Sequence, residues 1–482
     1  MPLLLWPAAP CLFTANVGVA AIYGGSHMHR ASPARSHRVI LPLVLLAQFV
    51  PPLVLFSIGA LAPLLRDSLA LNREQIGSLS ALFSTSAALV AVPSGWWADR
   101  VGVRRLLSGG QVVGGLALTA TAVLPTYRAL CLVLCLVGIA FGTVAVVTAK
   151  AIVEWVPRER RATAMGAKQL AVSCAGGVAS AVIPTLALWS GWRQAFTLMG
   201  CLMLASALGD LLLYRDRPQE VLHAKPLRGQ GRGHALWRNP NVWGLAAMGM
   251  CFGGAQYSFT TYLPLFLLER GSMPLVLAAN FLAQAQVGAM ASRVPVGWIS
   301  DRWCPRDRQS LLRAMGVIAL GALLGLLLVP AGTPMLWLSA FVILYGASGL
   351  SWGGAYFTLA AELVDQEAVG VVAGLMSTSM HVGNLVTAPL FGYVADATGS
   401  YTLSWGLLGL WLLLGIGMLS LVRTTPSGLE APRGATREGR VPVALRSRAN
   451  RVQTVWGQRT WAASRQDESR QDLGGEGGEH EC

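Results

Sequence analysis

Long apolar runs, each about as long as a bilayer core is thick, alternate along this chain with short polar connections. A helix needs about 20 apolar residues to cross the hydrocarbon core. Twelve runs reach that length: Ile40–Leu65, Gln75–Ala98, Leu106–Leu124, Ala129–Val153, Ala162–Leu188, Gln194–Tyr214, Val242–Leu268, Pro274–Ser300, Leu311–Val329, Met335–Leu359, Val369–Val394 and Leu403–Val422. They are continuous rather than alternating, which argues against a β-barrel. Backbone groups in lipid must also be bonded within the segment. The pattern predicts an all-α membrane protein with twelve transmembrane helices, here called spans one to twelve.

Composition agrees. Of 482 residues, 54% are hydrophobic and 12% charged, with a mean hydropathy of +0.52, whereas a soluble domain carries about 25% charged residues. That argues against a soluble enzyme and against a disordered chain. The net charge of +14 would suit a nucleic-acid binder, but its distribution points to the lipid bilayer as partner instead. With the chain before Ile40 in the cytoplasm, the cytoplasmic connections hold 19 Lys and Arg, and the opposite side holds only Arg66, Arg73, Arg128, Arg193 and Arg270. This is the positive-inside asymmetry of a multi-pass inner-membrane protein with both termini cytoplasmic. One connection departs from it: Glu362, Asp365 and Glu367 make the loop before span eleven acidic.

Three segments lie outside the spans. Residues 1–38 form an N-terminal extension without the basic start of a signal peptide. The segment from Met28 reads as a cytoplasmic lead-in, so Met28 is the expected start and residues 1–27 upstream sequence. Residues 215–239 form a basic cytoplasmic linker between the bundles 40–214 and 240–423. Residues 424–482, with nine Arg, eight acids and many Gly and Ser, predict a disordered cytoplasmic tail.

The two bundles share a repeat. Gly95-Trp-Trp-Ala-Asp99-Arg100-Val-Gly102-Val-Arg104-Arg105 follows span two, and Gly297-Trp-Ile-Ser-Asp301-Arg302-Trp-Cys-Pro-Arg306-Asp307 follows span eight. The offset is 202 residues, or six spans, and five of eleven positions are identical. The chain therefore reads as two pseudo-symmetric six-helix halves. In the motif, Gly95 is expected to let two helices approach closely. Asp99 is expected to face a helix N-terminus, where a carboxylate is favoured. Gly102 permits a tight turn. Arg104 and Arg105 are expected to pair with carboxylates on moving helices, and the Glu362–Glu367 loop offers them.

On these residues the chain resembles the major facilitator superfamily. Its first motif fits that family's loop pattern G-x-x-x-D-R-x-G-x-R-R at every fixed position, and its second is degenerate after Arg302. Further points of likeness are the loop from Trp155 and Pro157 to Arg161, the turn Gly191-Trp192-Arg193, and Gly392 with Asp396, Gly399, Ser400 and Tyr401. The resemblance implies a solute carrier with a central cavity between two bundles, working by alternating access. It also implies that the Asp99/Arg104 loop latches the cytoplasmic side in the outward-facing state. The drug-exporter patterns are missing: Leu134 stands where an Arg is expected before Gly138, and Val172-Ser173 stands where a Gly-Pro pair is expected before Gly176-Gly177.

Ionisable residues inside spans are costly and mark function. Lys150 has Glu154 one turn on and reads as a helix-end pair. Lys168, beside Gln169, either snorkels to the cytoplasm or meets substrate. Arg293 either pairs with the second motif or binds substrate. Asp210 reads as a boundary residue. His381 lies near the middle of span eleven and either titrates with substrate or stays neutral, bonded to Asn384 or a backbone carbonyl. No Asp or Glu lies near mid-span anywhere, which disfavours a cationic substrate. Lys168, Arg293 and His381 favour an anion, with Gln256, Tyr257, Gln284, Gln286 and Asn384 as neutral hydrogen-bonding partners.

The expectation is a monomeric secondary transporter of a small anionic or polar organic solute, a carboxylate, taken up with protons. The alternatives are efflux of amphipathic compounds by proton antiport and a non-transporting receptor or assembly protein. No Walker motif, GxSxG or HExxH occurs. The cysteines lack metal spacing. No enzyme activity, cofactor or metal site is expected.

Overall fold

The computed structural model describes residues 34–123, 126–156, 161–216, 238–271, 273–302, 307–328, 334–364 and 369–422. The expectations for residues 1–27, most of the linker, the 157–160 loop, Asp365, Glu367 and the tail lie outside these residues. Among the described residues there is no strand, and helices cover all twelve predicted spans.

Three spans are broken. Span one is Ala34–Ala60 and Ala62–Leu69, with Leu61 at φ −100°, ψ 1° and Pro63 opening the second piece. Span five is Arg161–Ala181 and Ile183–Ser190, with Pro184 in the same place. Proline lacks an N–H and is tolerated in a helix's first turn. Span ten is Met335–Gly349 and Gly353–Glu362, parted at Leu350–Trp352. The other spans are single helices. Span two is Arg73–Val101 and span three Val103–Thr119, continued by a 3₁₀ turn at Ala120–Ala122. Span four is Tyr127–Trp155 and span six Trp192–Leu213. Span seven is Pro240–Gly271 and span eight Leu275–Arg302. Span nine is Arg308–Leu328, span eleven Val369–Thr398 and span twelve Tyr401–Leu421.

Among the described residues, eight helices are long and apolar enough to cross a membrane by length and composition. Spans two, seven and eleven pack on one another. A helix shielded by other helices can carry Ser, Thr, Gln and Gly that lipid would penalise.

Gly102 has φ +92°, a left-handed backbone that turns span two into span three without a loop. Gly95 does not make the expected close approach, since a β-carbon there would stand 3.7 Å from Val146 Cγ1, an ordinary contact. The tight crossing lies deeper. At Gly138 and Gly142 of span four, a β-carbon would fall 2.2 Å from the carbonyl oxygens of Phe83 and Ala87 of span two. The small residue is needed where the helix axes cross, and Gly95 sits beyond that point.

The halves meet along two seams. In one, span two lies against span eleven. In the other, span five lies against span eight: Gln286 packs on Gly176, Cys174 Sγ approaches Met290 Sδ at 3.5 Å, and Arg293 reaches Gln169.

Candidate functional site

One end of the molecule, opposite the repeated motif, is closed by charges contributed by both halves. Arg73, in the first turn of span two, donates through Nε and Nη2 to Glu269 Oε2 of span seven at 3.2 and 2.5 Å. Its Nη1 donates to Asp396 of span eleven at 3.1 Å, and Nε also meets Tyr401 Oη at 3.0 Å. Arg66 pairs with the other oxygen of Glu269. The Tyr262 hydroxyl lies 2.7 Å from the Arg73 carbonyl and 2.8 Å from the Ala388 carbonyl, its one proton shared between them, and so ties together spans two, seven and eleven.

The motif end is arranged differently. The seam of spans five and eight holds as far as Gln169 and Arg293. Beyond it, a β-carbon at Gly166 or Gly297 would meet nothing within 4 Å. Trp96, Trp97, Val101 and Trp298 are exposed there. Arg100 lies over the Trp96 ring at 3.5 Å, and Arg105 and Arg302 are exposed. The side chains of Asp99 and Asp301 lie outside the described residues.

Of the acidic loop only Glu362 is among the described residues, and neither Arg104 nor Arg105 bonds it. The Arg104 guanidinium donates to the Leu211 carbonyl of span six, 2.7 Å from Nε, and its backbone N–H donates to Asp216 at 2.9 Å. Glu362 instead accepts from Arg308 of its own half at 2.8 Å.

At mid-depth the side chains of both halves converge. The His381 ring stacks on Tyr257, with centroids 5.7 Å apart and planes at 19°. Phe141 of span four meets it edge-on at 6.3 Å. Asn384, one turn further along span eleven, donates to the Ser80 carbonyl at 3.0 Å and to Ser84 Oγ at 2.7 Å, both in span two. The expected neutral partners of His381 are therefore not in place: Asn384 bonds elsewhere, and His381 Nδ1 is buried without a hydrogen bond.

Lys168 does not snorkel. It is buried, at 8% exposure, and its Nζ donates to the Ala145 carbonyl of span four. Ala145 lies one turn, about 6 Å of rise, from Phe141, so span four carries both the Lys168 and the His381 contacts. Among the described residues, Arg293 bonds none of the second motif. It bridges the halves, donating to the Gln169 carbonyl at 3.3 Å and to the Leu350 carbonyl, at the break in span ten, at 3.4 Å. Gln256 accepts from Trp352 Nε1 of the same break at 3.1 Å. Arg293 Nε, Gln284 Oε1, Gln286 Nε2 and Asn384 Oδ1 are buried without partners. A buried polar group without a partner is a group that a polar ligand can satisfy.

Lys150 and Glu154 pair at 3.7 Å. Asp210 lies in the last turn of span six, as expected, but it is fully buried and accepts from Gln111 Nε2 of span three at 2.5 Å. Phe141, Trp352, Ser80 and the closed-end residues Arg73, Glu269 and Tyr262 were not readable from local sequence, because each acquires its role from a partner in another span. Among the described residues, no group of three His, Cys, Asp or Glu stands close enough to hold a metal ion.

Comparison with known proteins agrees with this architecture. The family model of the Major Facilitator Superfamily matches residues 44–385. The probable sulfoacetate transporter of Cupriavidus necator is 25% identical over 412 residues, covering 81% of this chain and 94% of its own. The hexuronate transporter of Bacillus subtilis is 24% identical, covering 81% and 97%. Among solved structures, the D-xylose–proton symporter superposes with a TM-score of 0.67 at 14% identity, covering 81% of this chain and 99% of its own. A bacterial homologue of the human lysosomal transporter Spinster, inward-facing and occupied, gives 0.64 at 18% identity, covering 82% and 97%. A twelve-span helical chain with a repeated motif, a family match over most of its spans and relatives named as transporters is a multi-pass membrane transporter and not an enzyme: the chain belongs to the Major Facilitator Superfamily.

Proposed function

We propose that this transporter carries a small organic anion, a carboxylate, into the cell with protons, by alternating access across the bacterial inner membrane. One observation carries the reading. Lys168 and Arg293 stand at the seam between the halves, His381 is buried, and among the described residues no carboxylate pairs with either cation. Uncompensated positive charge in a water-poor site is stabilised by an anion. Relatives named for sulfoacetate and hexuronate, both organic anions, support the same class.

In this reading Lys168 and Arg293 hold the carboxylate. Gln169, Gln256, Tyr257 and Asn384 satisfy the polar remainder of the solute, and His381 takes up a proton as the anion enters. The motif residues Gly95, Asp99, Arg100, Gly102, Arg104 and Arg105, with Gly297, Asp301 and Arg302, close the motif end when the opposite end opens. That end faces the cytoplasm, as do both chain termini, and the working unit is a monomer.

The test is uptake by the purified protein in proteoliposomes. Labelled sulfoacetate, a hexuronate and a monocarboxylate are offered with and without an inward proton gradient. Uptake of at least one that rises with the gradient and is lost in Lys168→Met and Arg293→Met supports the reading. Uptake of cations only, or anion uptake indifferent to both charges, overturns it.

A further inference from the structure

Asp210 is used by none of this. It is completely buried between spans three and six, and so is its partner Gln111. Gln111 Nε2 donates to one carboxyl oxygen at 2.5 Å. The other carboxyl oxygen, Oδ1, has no partner, and neither has the amide oxygen of Gln111, Oε1. A bonded amide–carboxyl pair is thus left with two acceptors and no donor between them.

The charged and titratable groups around Asp210 are few. Span three offers Arg104, whose guanidinium is held by the Leu211 carbonyl, and the exposed Arg105. The end of span four offers Lys150 and Glu154, which pair with each other. Span six itself offers Tyr214, and Asp216 follows it, bonded to the Arg104 N–H. The described part of span one within the membrane, residues 40–60, contains no ionisable residue. Among the described residues, no cation bonds Asp210. A carboxylate buried in this way, with one neutral donor, is strongly disfavoured against its protonated form.

One proton resolves both orphans. A neutral carboxyl donates from one oxygen and accepts at the other. A primary amide accepts at its oxygen and donates from its nitrogen. With a hydrogen on Asp210 Oδ1, the two groups have matched donors and acceptors for a two-bond pair.

We propose that Asp210 and Gln111 form a proton-binding site in the first half, separate from His381 and the central site, and occupied in this state. When the proton leaves, the new carboxylate draws Arg104 from the carbonyl of the adjacent Leu211, so proton release repositions the arginine of the motif turn. The proposal rests on the proton-coupled reading for its use, but its protonation state is measurable without transport.

The experiment is infrared spectroscopy of the full-length protein in lipid, parent against Asp210→Asn, titrated from neutral to alkaline pH. The carbonyl stretch of a protonated carboxyl, present in the parent at neutral pH and missing from D210N, is the expected result. A carboxylate band at neutral pH assigned to Asp210 by the same difference overturns the site. Asn pairs with Gln111 through the same two bonds, so D210N is expected to fold with unchanged thermal stability; Gln111→Asn, which shortens the partner, provides a second variant in which the band persists but shifts. For Arg104, a cysteine at exposed Val101 reports the turn. The ratio of its labelling rates in the Asp210 and D210N backgrounds, with native cysteines replaced, cancels the thiol's own ionisation and is expected to change with pH. A rate equally pH-dependent in both backgrounds overturns the link to Arg104. Loss of gradient-driven uptake in the parent, with the infrared band intact, counts against the coupled-transport reading and not against this site.

Discussion

Arg73 and Glu269, 196 residues apart and in different halves, share two hydrogen bonds, of 3.2 and 2.5 Å, at the end of the molecule opposite the repeated motif. Both side chains are mostly buried, at 15% and 18% exposure. A hydrogen bond to a charged group in such a setting contributes about 1.5–3 kcal/mol. That is small against the stability of a twelve-span protein but large against the difference between two conformers.

Arg73→Ala is therefore expected to leave the protein folded and to open this end. Every 1.4 kcal/mol is about tenfold in population. Labelling of a cysteine placed at Thr260, from the side of the closed end and with native cysteines replaced, should speed up about tenfold or more. Reversing the whole network, Arg66→Glu and Arg73→Glu with Glu269→Arg and Asp396→Arg, keeps every pair opposite in sign and should recover much of the loss, as coupled partners do. Unchanged labelling in Arg73→Ala removes the latch role.

His381→Gln keeps a polar group at mid-depth but removes the titration. The pH dependence of substrate affinity between about pH 5 and 8 should disappear while binding persists. By reciprocity, the parent should bind the anion more tightly as the histidine protonates. A mutant whose affinity follows pH as the parent's does makes His381 a packing residue.

Gly138→Ala and Gly95→Ala should part company. The first drives a methyl into the Phe83 carbonyl, and overpacking of that kind costs about 1–3 kcal/mol. The second meets only an ordinary contact with Val146 and should be neutral in stability. Thermal unfolding of the two variants in detergent compares them directly.

Asp307 caps span nine, its carboxylate accepting from the Ser310 N–H at 3.0 Å. The Ser310 hydroxyl and N–H hold the Asp307 carboxyl below its ordinary value. The cap therefore contributes fully above the unfolded value, about pH 4, and is lost as pH falls through the lower folded one. At neutral pH, Asp307→Ala should cost about 1 kcal/mol. Amide exchange at Ser310 should then run several-fold faster, and the difference should vanish in strong acid.

Much of the fold was legible because lipid leaves the chain few choices. The apolar runs, the 202-residue repeat and the Gly102 turn are local facts. The breaks in spans one and five were signalled by Pro63 and Pro184, which the length of the apolar runs masked. Lys168 was visible as an intramembrane charge, but whether it reached water or the Ala145 carbonyl depended on how span five lies against span four. Asp210 resembled a span-end residue because its burial comes from Gln111, 99 positions earlier. Asp396 and Tyr401 stood out as family-like, yet their partner Arg73 passed as an ordinary loop charge. Contacts across several hundred positions leave no periodicity to read.

The closed end also has a sign. Its cations, Arg66 and Arg73, come from the first half, and its anions, Glu269 and Asp396, come from the second. Two copies of the first half brought together there would oppose arginine to arginine, and two of the second would oppose acid to acid. The duplicated architecture is thus made heterotypic at this face. Expressed as two separate polypeptides, the bundles carry an address by which each accepts the other and refuses itself.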